Sequence, residues 1–239
     1  MNCVKNKIEL EEKGYSILNN LYSIEEISEI LSCIKNVAQD RDSFMKTGDL
    51  YAIRQLIKNI PELKTHLFNK KITQLISNLS QSEYFLTKAI YFDKPSTSNW
   101  FVPYHQDLSI SVENKSETEN YTNWTYKKGQ YGVQPPIKIL QNTITIRIHL
   151  DDTNKNNGAL KVIPKSHARG IINIATKDYS TDNEDICEVK KGGVMLMKPL
   201  LLHASNRTTN NIQRRVIHLE FCDQELAKPL KWLEYYNSN

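Results

Sequence analysis

The chain has 239 residues, of which 39% are hydrophobic and 24% charged, and 31 basic against 27 acidic residues give a net charge of +4. This composition allows a sizeable core and argues against a disordered or collagen-like chain. The chain has no dense basic block that would indicate a nucleic-acid partner, and it has no run of about 18 apolar residues that would predict a membrane span. Charges near the N-terminus disfavour a signal peptide, so we expect a cytoplasmic protein.

The first hundred residues are predicted to be rich in helix. Ser23 and Glu26 form a capping-box pattern, and apolar residues follow at helical spacing. In chain order, the patterns predict a strand over 14–18, a helix over 23–40, a helical turn opened by Pro61, a helix over 70–79 and a strand over 84–92.

Beyond residue 100 the pattern changes to short strands and turns. Strands are predicted over 142–150, 159–163, 194–197 and 214–221. This spacing favours a β-sandwich or jelly roll with helices packed outside. Residues 111–136 are predicted to be a long polar loop, which could form a lid over an active site. Without repeats or linkers, one domain is expected over 1–239, with a helix-rich part at about 1–100 and a β core at about 84–222.

His105 and Asp107 are the residues that most strongly indicate a chemistry. On a strand, residues two apart point to the same face, so an imidazole and a carboxylate can share one metal ion. A third ligand is needed, and His203, between an apolar strand and a turn, is the best candidate. Two histidines and one carboxylate form the facial triad of non-haem Fe(II) oxygenases, which leaves room for a 2-oxo acid and O₂.

Arg214 lies eleven residues after His203, at the start of the next predicted strand. Its guanidinium could pair with the second carboxylate of a 2-oxo acid through two parallel hydrogen bonds. Arg215 competes for this role. Neighbours on a strand face opposite sides, and the side of residue 215 is otherwise apolar, so Arg214 is favoured.

With these residues the chain resembles the phytanoyl-CoA dioxygenase family of Fe(II)/2-oxoglutarate oxygenases over about residues 7–222. The resemblance depends on His105-Gln-Asp107, on the segments around 150–152, 157–160 and 163–167, and on His203-Ala-Ser205 with Arg214. It implies a mainly β fold with flanking helices, the double-stranded β-helix or cupin-like jelly roll.

The resemblance also implies the cofactors and the reaction. Fe(II) would be held by His105, Asp107 and His203, and the distal carboxylate of 2-oxoglutarate by Arg214 and Ser205. The implied activity is hydroxylation, or another oxidation, of a C–H bond in a small organic molecule, with consumption of O₂ and release of succinate and CO₂. Neither nucleic acid nor a membrane is expected as a partner, and no oligomeric state is predicted.

Four further residues are candidates for contacts in this site. Thr145, on the inward face of its strand, matches a position that often contacts the cosubstrate in the family. Arg147 stands where many members have Trp, and an inward-facing cation there suggests an acidic group on the substrate. Gln106, between the two ligands, and Trp124, in the long loop, are candidates for substrate contacts.

Alternatives remain open from the sequence. His149 and Asp151 form a second pair two residues apart, which we interpret as structural. Two histidines and an aspartate also suit Zn²⁺, so a zinc hydrolase or isomerase is a second hypothesis. A third is a non-catalytic small-molecule binding module on the same fold.

Overall fold

A computed structural model describes residues 3–38, 45–46, 51–79, 82–95, 101–174, 183–210 and 212–237. The helices are α1 (Cys3–Lys13), α2 (Ile24–Ala38), α3 (Leu56–Asn59), α4 (Leu63–Leu67), α5 (Lys70–Leu79) and α6 (Ile137–Gln141). The strands are β1 (Tyr15–Leu18), β2 (Met45–Lys46), β3 (Tyr51–Arg54), β4 (Phe85–Lys94), β5 (Val102–His105), β6 (Ile110–Val112), β7 (Thr122–Lys127), β8 (Gln130–Gln134), β9 (Thr143–His149), β10 (Leu160–Val162), β11 (Asp185–Cys187), β12 (Val194–Met197), β13 (His203–Ser205), β14 (Arg214–Cys222) and β15 (Tyr236–Asn237).

The strands form three antiparallel sheets. The major sheet has the order β1-β12-β9-β14-β4-β3-β2, with β15 also paired to β4. The minor sheet has the order β11-β10-β13-β5, and a third sheet has the order β6-β8-β7. The major and minor sheets form the jelly roll, as predicted from the short strands and from the family resemblance.

The major sheet buries both faces, and strand alternation separates their roles. Ile144, Ile146 and Ile148 of β9 belong to the large apolar core that includes residues of the helices. The intervening residues of β9 are polar but equally buried, and they face the other side of the sheet. A smaller core that contains Val162, Met195 and other residues of both sheets lies between the sheets. The polar face of β9 is therefore available for a site inside the jelly roll.

α2, α4 and α5 form where the sequence patterns predict helix, whereas α1, α3 and α6 were not predicted. Ser23 and Glu26 exchange hydrogen bonds at the start of α2: the Glu26 amide donates to Ser23 Oγ, and the Ser23 amide donates to the Glu26 carboxylate. Asp40, where the helix was predicted to end, lies outside the described residues. The described helices include none that is long and apolar enough to span a bilayer.

Residues 111–136 are not one long loop, and this prediction was wrong. They contribute to β6 and form the hairpin of β7 and β8, where residues 122–127 pair with residues 130–134. Each strand has only two apolar residues at alternate positions, Trp124 and Tyr126 in β7 and Tyr131 and Val133 in β8, and β7 is largely exposed. The hairpin was missed because this alternation is short and surrounded by polar residues.

Candidate metal and cosubstrate site

Two neighbouring strands of the minor sheet bring the predicted metal ligands together. His105 ends β5 and His203 begins β13, and the two residues are paired across the sheet. The backbone amide of Asp107 donates to the Pro199 carbonyl at 2.9 Å, which fixes the segment after β5 beside the segment before β13. His203 therefore lies on a strand, whereas the sequence predicted it in the turn after one.

The three side chains form a cluster that could hold a metal ion. One ligand atom from each of His105, Asp107 and His203 lies within 4.8 Å of the others. His105 Nε2 is 3.8 Å from Asp107 Oδ1, and His203 Nε2 is 3.8 Å from Asp107 Oδ2. Among the described residues, no other group of three histidine, cysteine, aspartate or glutamate side chains is as close.

Backbone carbonyls orient both imidazoles toward the cluster. His105 Nδ1 is 2.9 Å from the Pro103 carbonyl, and His203 Nδ1 is 2.9 Å from the Leu201 carbonyl. A carbonyl only accepts, so each Nδ1 carries the proton and each Nε2 presents its lone pair to the centre of the cluster. Such outer hydrogen bonds are typical of histidines that bind metals.

The electrostatics of the cluster favour the ligand forms of its side chains. Burial lowers the pKa of His203 to about 4, although the nearby Asp107 carboxylate opposes this shift. Desolvation would raise the pKa of Asp107, but Coulomb interactions with His203, His218 and His105 lower it to about 2. At neutral pH the site therefore presents a neutral imidazole and an ionised carboxylate, as divalent metals require.

A cavity of about 180 Å³ adjoins the cluster. All three predicted metal ligands line it, together with the predicted cosubstrate residues Arg214 and Ser205. Arg214 is 9% exposed, and its Nε and Nη1 have no hydrogen-bond partner within the described part of the chain. Burial, and then the charge of Arg147, lower the pKa of Arg214 to about 9. The cavity thus holds a buried guanidinium with free donors, which fits a carboxylate ligand.

Ser205 and Thr145 differ in how they lie relative to this cavity. The Ser205 hydroxyl lines it and donates to the Gly158 carbonyl at 2.9 Å. Thr145 is fully buried on the inward side of β9, but it is not among the lining residues, and its hydroxyl has no described partner.

The structure also separates Arg214 from its competitors. Arg215 donates to both oxygens of Asp151, at 2.8 and 2.6 Å, and so faces away from the cavity. This ion pair occupies the carboxylate of Asp151, which with His149 forms the second pair of histidine and aspartate two residues apart in the sequence. His149 hydrogen-bonds Thr153 at 2.8 Å instead of approaching Asp151. The pair is structural, as interpreted from the sequence.

Gln106 and Trp124 do not lie where substrate contacts were expected. The Gln106 amide donates to the Leu200 carbonyl at 2.6 Å and to the Gly170 carbonyl at 2.9 Å, because it points opposite to its two neighbours in an extended segment. Trp124 packs on an apolar cluster below the third sheet, whereas its neighbours Asn123 and Thr125 line a cavity. Both expectations were wrong in side-chain direction.

A larger cavity of about 420 Å³ lies next to the smaller one. Phe92, Asp107 and His218 line both, so the two cavities meet beside Asp107, one of the candidate metal ligands. The third sheet forms one wall of the larger cavity, which is lined mainly by polar and charged groups. The wall and its surroundings include Arg54, Lys88, Ser109, Ser111, Asn123, Thr125, Lys127, Gln130, Tyr131, Gln134 and Glu220.

Several residues of these cavities were not found from the sequence. Arg147 was expected to face inward and does, but Lys94 and His218 were not singled out. His218 shares the face of Arg214 by the period-two rule, which could have indicated it. Lys94 is paired with Arg214 across β4 and β14, a pairing that no local pattern reveals.

Two facing sheets with a two-histidine, one-carboxylate cluster between them define a cupin-like jelly roll with a candidate metal centre. The sequence matches the family model of phytanoyl-CoA dioxygenase (PhyH) over residues 10–216. The protein therefore belongs to the phytanoyl-CoA dioxygenase family. No curated protein matches its sequence.

Solved structures with the same fold include an α-ketoglutarate-dependent epimerase and two proteins solved with 2-oxoglutarate. SnoN, a non-haem α-ketoglutarate-dependent epimerase from nogalamycin biosynthesis, is 12% identical with a TM-score of 0.70, over 92% of this chain and 83% of its own. EctD from S. alaskensis, solved with 2-oxoglutarate and 5-hydroxyectoine, is 16% identical with a TM-score of 0.71, over 94% and 78%. HygX from Streptomyces hygroscopicus, solved with nickel, 2-oxoglutarate and hygromycin B, is 12% identical with a TM-score of 0.67, over 98% and 96%.

Proposed function

We propose that the protein is an Fe(II)- and 2-oxoglutarate-dependent dioxygenase that oxidises a C–H bond of a small hydrophilic molecule, with hydroxylation as the simplest outcome. The observation that carries this proposal is the buried Arg214, whose free donors lie in the same 180 Å³ cavity as the His105, Asp107 and His203 cluster. A metal site alone has no need for such a guanidinium, whereas a chelating oxo acid with a second carboxylate does.

The residues of the chain would each have a defined task. His105, Asp107 and His203 would hold the ion, and Arg214 with Ser205 would hold the distal carboxylate of 2-oxoglutarate. The bound ion and cosubstrate would supply the oxidising power, with O₂ as the oxidant and succinate and CO₂ as co-products. Thr145 remains a proposed cosubstrate residue, although it is not among the residues that line the smaller cavity.

The larger cavity would bind the molecule to be oxidised. It shares Asp107, one of the three proposed metal ligands, with the smaller cavity, so a compound bound there would lie next to the metal. Its polar lining, with Asn123 and Thr125 from the third sheet, favours a hydrophilic substrate over an acyl chain. The hairpin of β7 and β8 would exclude water from this side, in place of the expected lid loop.

Succinate formation tests this proposal. The protein would be incubated with Fe(II), 2-oxoglutarate and a panel of small hydrophilic compounds. We expect succinate from the wild type and none from His105→Ala. His66→Ala is the matched control, because His66 pairs with Glu29 away from both cavities. Full succinate formation by His105→Ala would overturn the proposal, and hydrolysis of a test compound by the zinc-loaded protein without 2-oxoglutarate would favour the zinc hydrolase.

A further inference from the structure

The smaller cavity contains more positive charge than one carboxylate ligand explains. Lys94, Arg147 and Arg214 line it, and they are 2%, 8% and 9% exposed. Among the described residues that line it, Asp107 is the only acidic one. Buried cations are costly unless anions compensate them, and a metal ion at the cluster would add further positive charge. The cavity is therefore suited to a ligand with more than one negative charge.

The three cations lie on three neighbouring strands of the major sheet, β4, β9 and β14. Arg214 and Lys94 are partners across β14 and β4, and Arg147 is the partner of His218, four residues further along β14. That offset separates the two pairs by about 13 Å along the strand at 3.3 Å per residue. Of these cations, Arg147 is the one paired with His218, which together with Asp107 lines both cavities.

The electrostatics of the three cations agree with this arrangement. Burial is the main cause that lowers the pKa of all three cations. Beyond burial, the pKa of Arg147 responds to the Asp107 carboxylate, that of Arg214 to Arg147, and that of Lys94 to Arg214.

A chain of buried hydrogen bonds holds the Arg147 guanidinium in place. Arg147 Nη1 donates to His218 Nδ1 at 3.1 Å, so His218 carries its proton on Nε2 and donates it to Glu220 at 2.9 Å. Lys88 pairs with the same Glu220 carboxylate at 2.9 Å. This arrangement occupies one end of the guanidinium and leaves Arg147 Nε with no hydrogen-bond partner among the described residues.

We infer that Arg147 is a second anion-binding residue for the cosubstrate, and that it binds the carboxylate of 2-oxoglutarate adjacent to the keto group while Arg214 and Lys94 bind the distal carboxylate. The inference rests on the proposed function. It replaces the expectation that Arg147 recognises an acidic substrate, because Arg147 lines the smaller cavity and is absent from the lining of the larger one.

Two oxo acids separate the roles of the two arginines. The anaerobic Fe(II) protein would be titrated with 2-oxoglutarate, which has both carboxylates, and with 2-oxobutyrate, which has only the one adjacent to the keto group. The visible absorption band of the Fe(II)–oxo acid complex reports binding without turnover. The variants are Arg147→Met and Arg214→Met. Arg215→Met is the matched control, because Arg215 faces Asp151 on the other side of the same strand.

We expect Arg147→Met to weaken binding of both oxo acids by about ten- to a hundredfold, the usual effect of removing one charge-assisted hydrogen bond. Arg214→Met should weaken 2-oxoglutarate by a similar factor and change 2-oxobutyrate by less than about threefold. Arg215→Met should change neither. If circular dichroism shows that Arg147→Met does not fold, Arg147→Lys should weaken both oxo acids, because a compact ammonium lacks the separated, planar donors with which a guanidinium can reach His218 and the ligand at once.

Two results would overturn the inference. One is a folded Arg147→Met or Arg147→Lys protein that binds both oxo acids as the wild type does. The other is a loss confined to 2-oxoglutarate, which would place Arg147 at the distal carboxylate. A wild-type protein that binds Fe(II) but develops no band with 2-oxoglutarate would instead contradict the proposed function itself.

Discussion

At the scale of single residues, Gly158 shows how closely the end of the smaller cavity is packed. Its φ is +85°, and a Cβ atom would lie 2.9 Å from Lys94 Nζ, 3.0 Å from the Asn206 carbonyl and 3.2 Å from Ser205 Oγ. Only glycine fits such a backbone without strain, and only glycine leaves both side chains where they are.

Gly158→Ala is therefore expected to weaken 2-oxoglutarate binding as well as stability. Strain at positive φ should lower the free energy of unfolding by about 1–2 kcal/mol. Gly129→Ala is a suitable control, because Gly129 has φ +73° but no atom within 4 Å of the added Cβ. Both variants should lose stability in urea denaturation, but only Gly158→Ala should lose affinity in calorimetry. Equal affinities would contradict this role of Gly158.

The buried Glu234 carboxyl should make the stability of the protein depend on pH. Burial raises its pKa to about 7 from the usual 4.5, although the Ala89 amide donates to its carboxylate. Between these two pH values the folded state binds more protons than the unfolded state, so this residue makes stability fall as pH rises toward 7.

Glu234→Gln removes this titration and keeps an acceptor for the Ala89 amide. Relative to the wild type, the variant should gain stability between pH 5 and pH 8, by up to a few kcal/mol at about 1.4 kcal/mol per pKa unit. Urea denaturation at several pH values measures the difference. A difference that stays constant over this range would show that the carboxyl titrates as it does in water.

At the scale of elements, the capping box of α2 gives a direct test of local stability. Ser23→Ala removes the hydroxyl that accepts from the Glu26 amide and should destabilise the protein by about 1 kcal/mol. Ser28 lies in the same helix, and its exposed hydroxyl only donates back to the Ile24 carbonyl. Ser28→Ala should therefore change stability by less than about 0.5 kcal/mol. Equal losses in the two variants would contradict the capping role.

The elements that the sequence predicted well are those with strong periodicity. The helix over 70–79 has the predicted bounds because its apolar residues repeat at helical spacing. The strand over 194–197 also has the predicted bounds, because it is a short, continuous apolar run. The hairpin of β7 and β8 has only two apolar residues at alternate positions in each strand, so its signal was weak. Gln106 and Trp124 show a related limit: the sequence placed them near the site but did not give the direction of their side chains.

At the scale of the whole molecule, the site depends on contacts between distant parts of the chain. His105 and Arg214 were found because their spacing follows a family pattern, whereas Lys94 and the Lys88–Glu220–His218–Arg147 chain depend on pairings between β4, β9 and β14. Such pairings are set by the register of the folded sheet, which local sequence patterns do not specify. The family could be recognised from the sequence, but the charge balance of the cavities could not.

Binding of iron and 2-oxoglutarate by the same site tests the central claim most directly. Under anaerobic conditions, the wild-type protein should bind a single Fe(II) ion and develop the visible absorption band of an Fe(II)–oxo acid complex when 2-oxoglutarate is added. His203→Ala should lose both the ion and the band. A wild type that shows no band, or a His203→Ala protein that keeps it, would contradict the assignment of this site as a metal and cosubstrate centre.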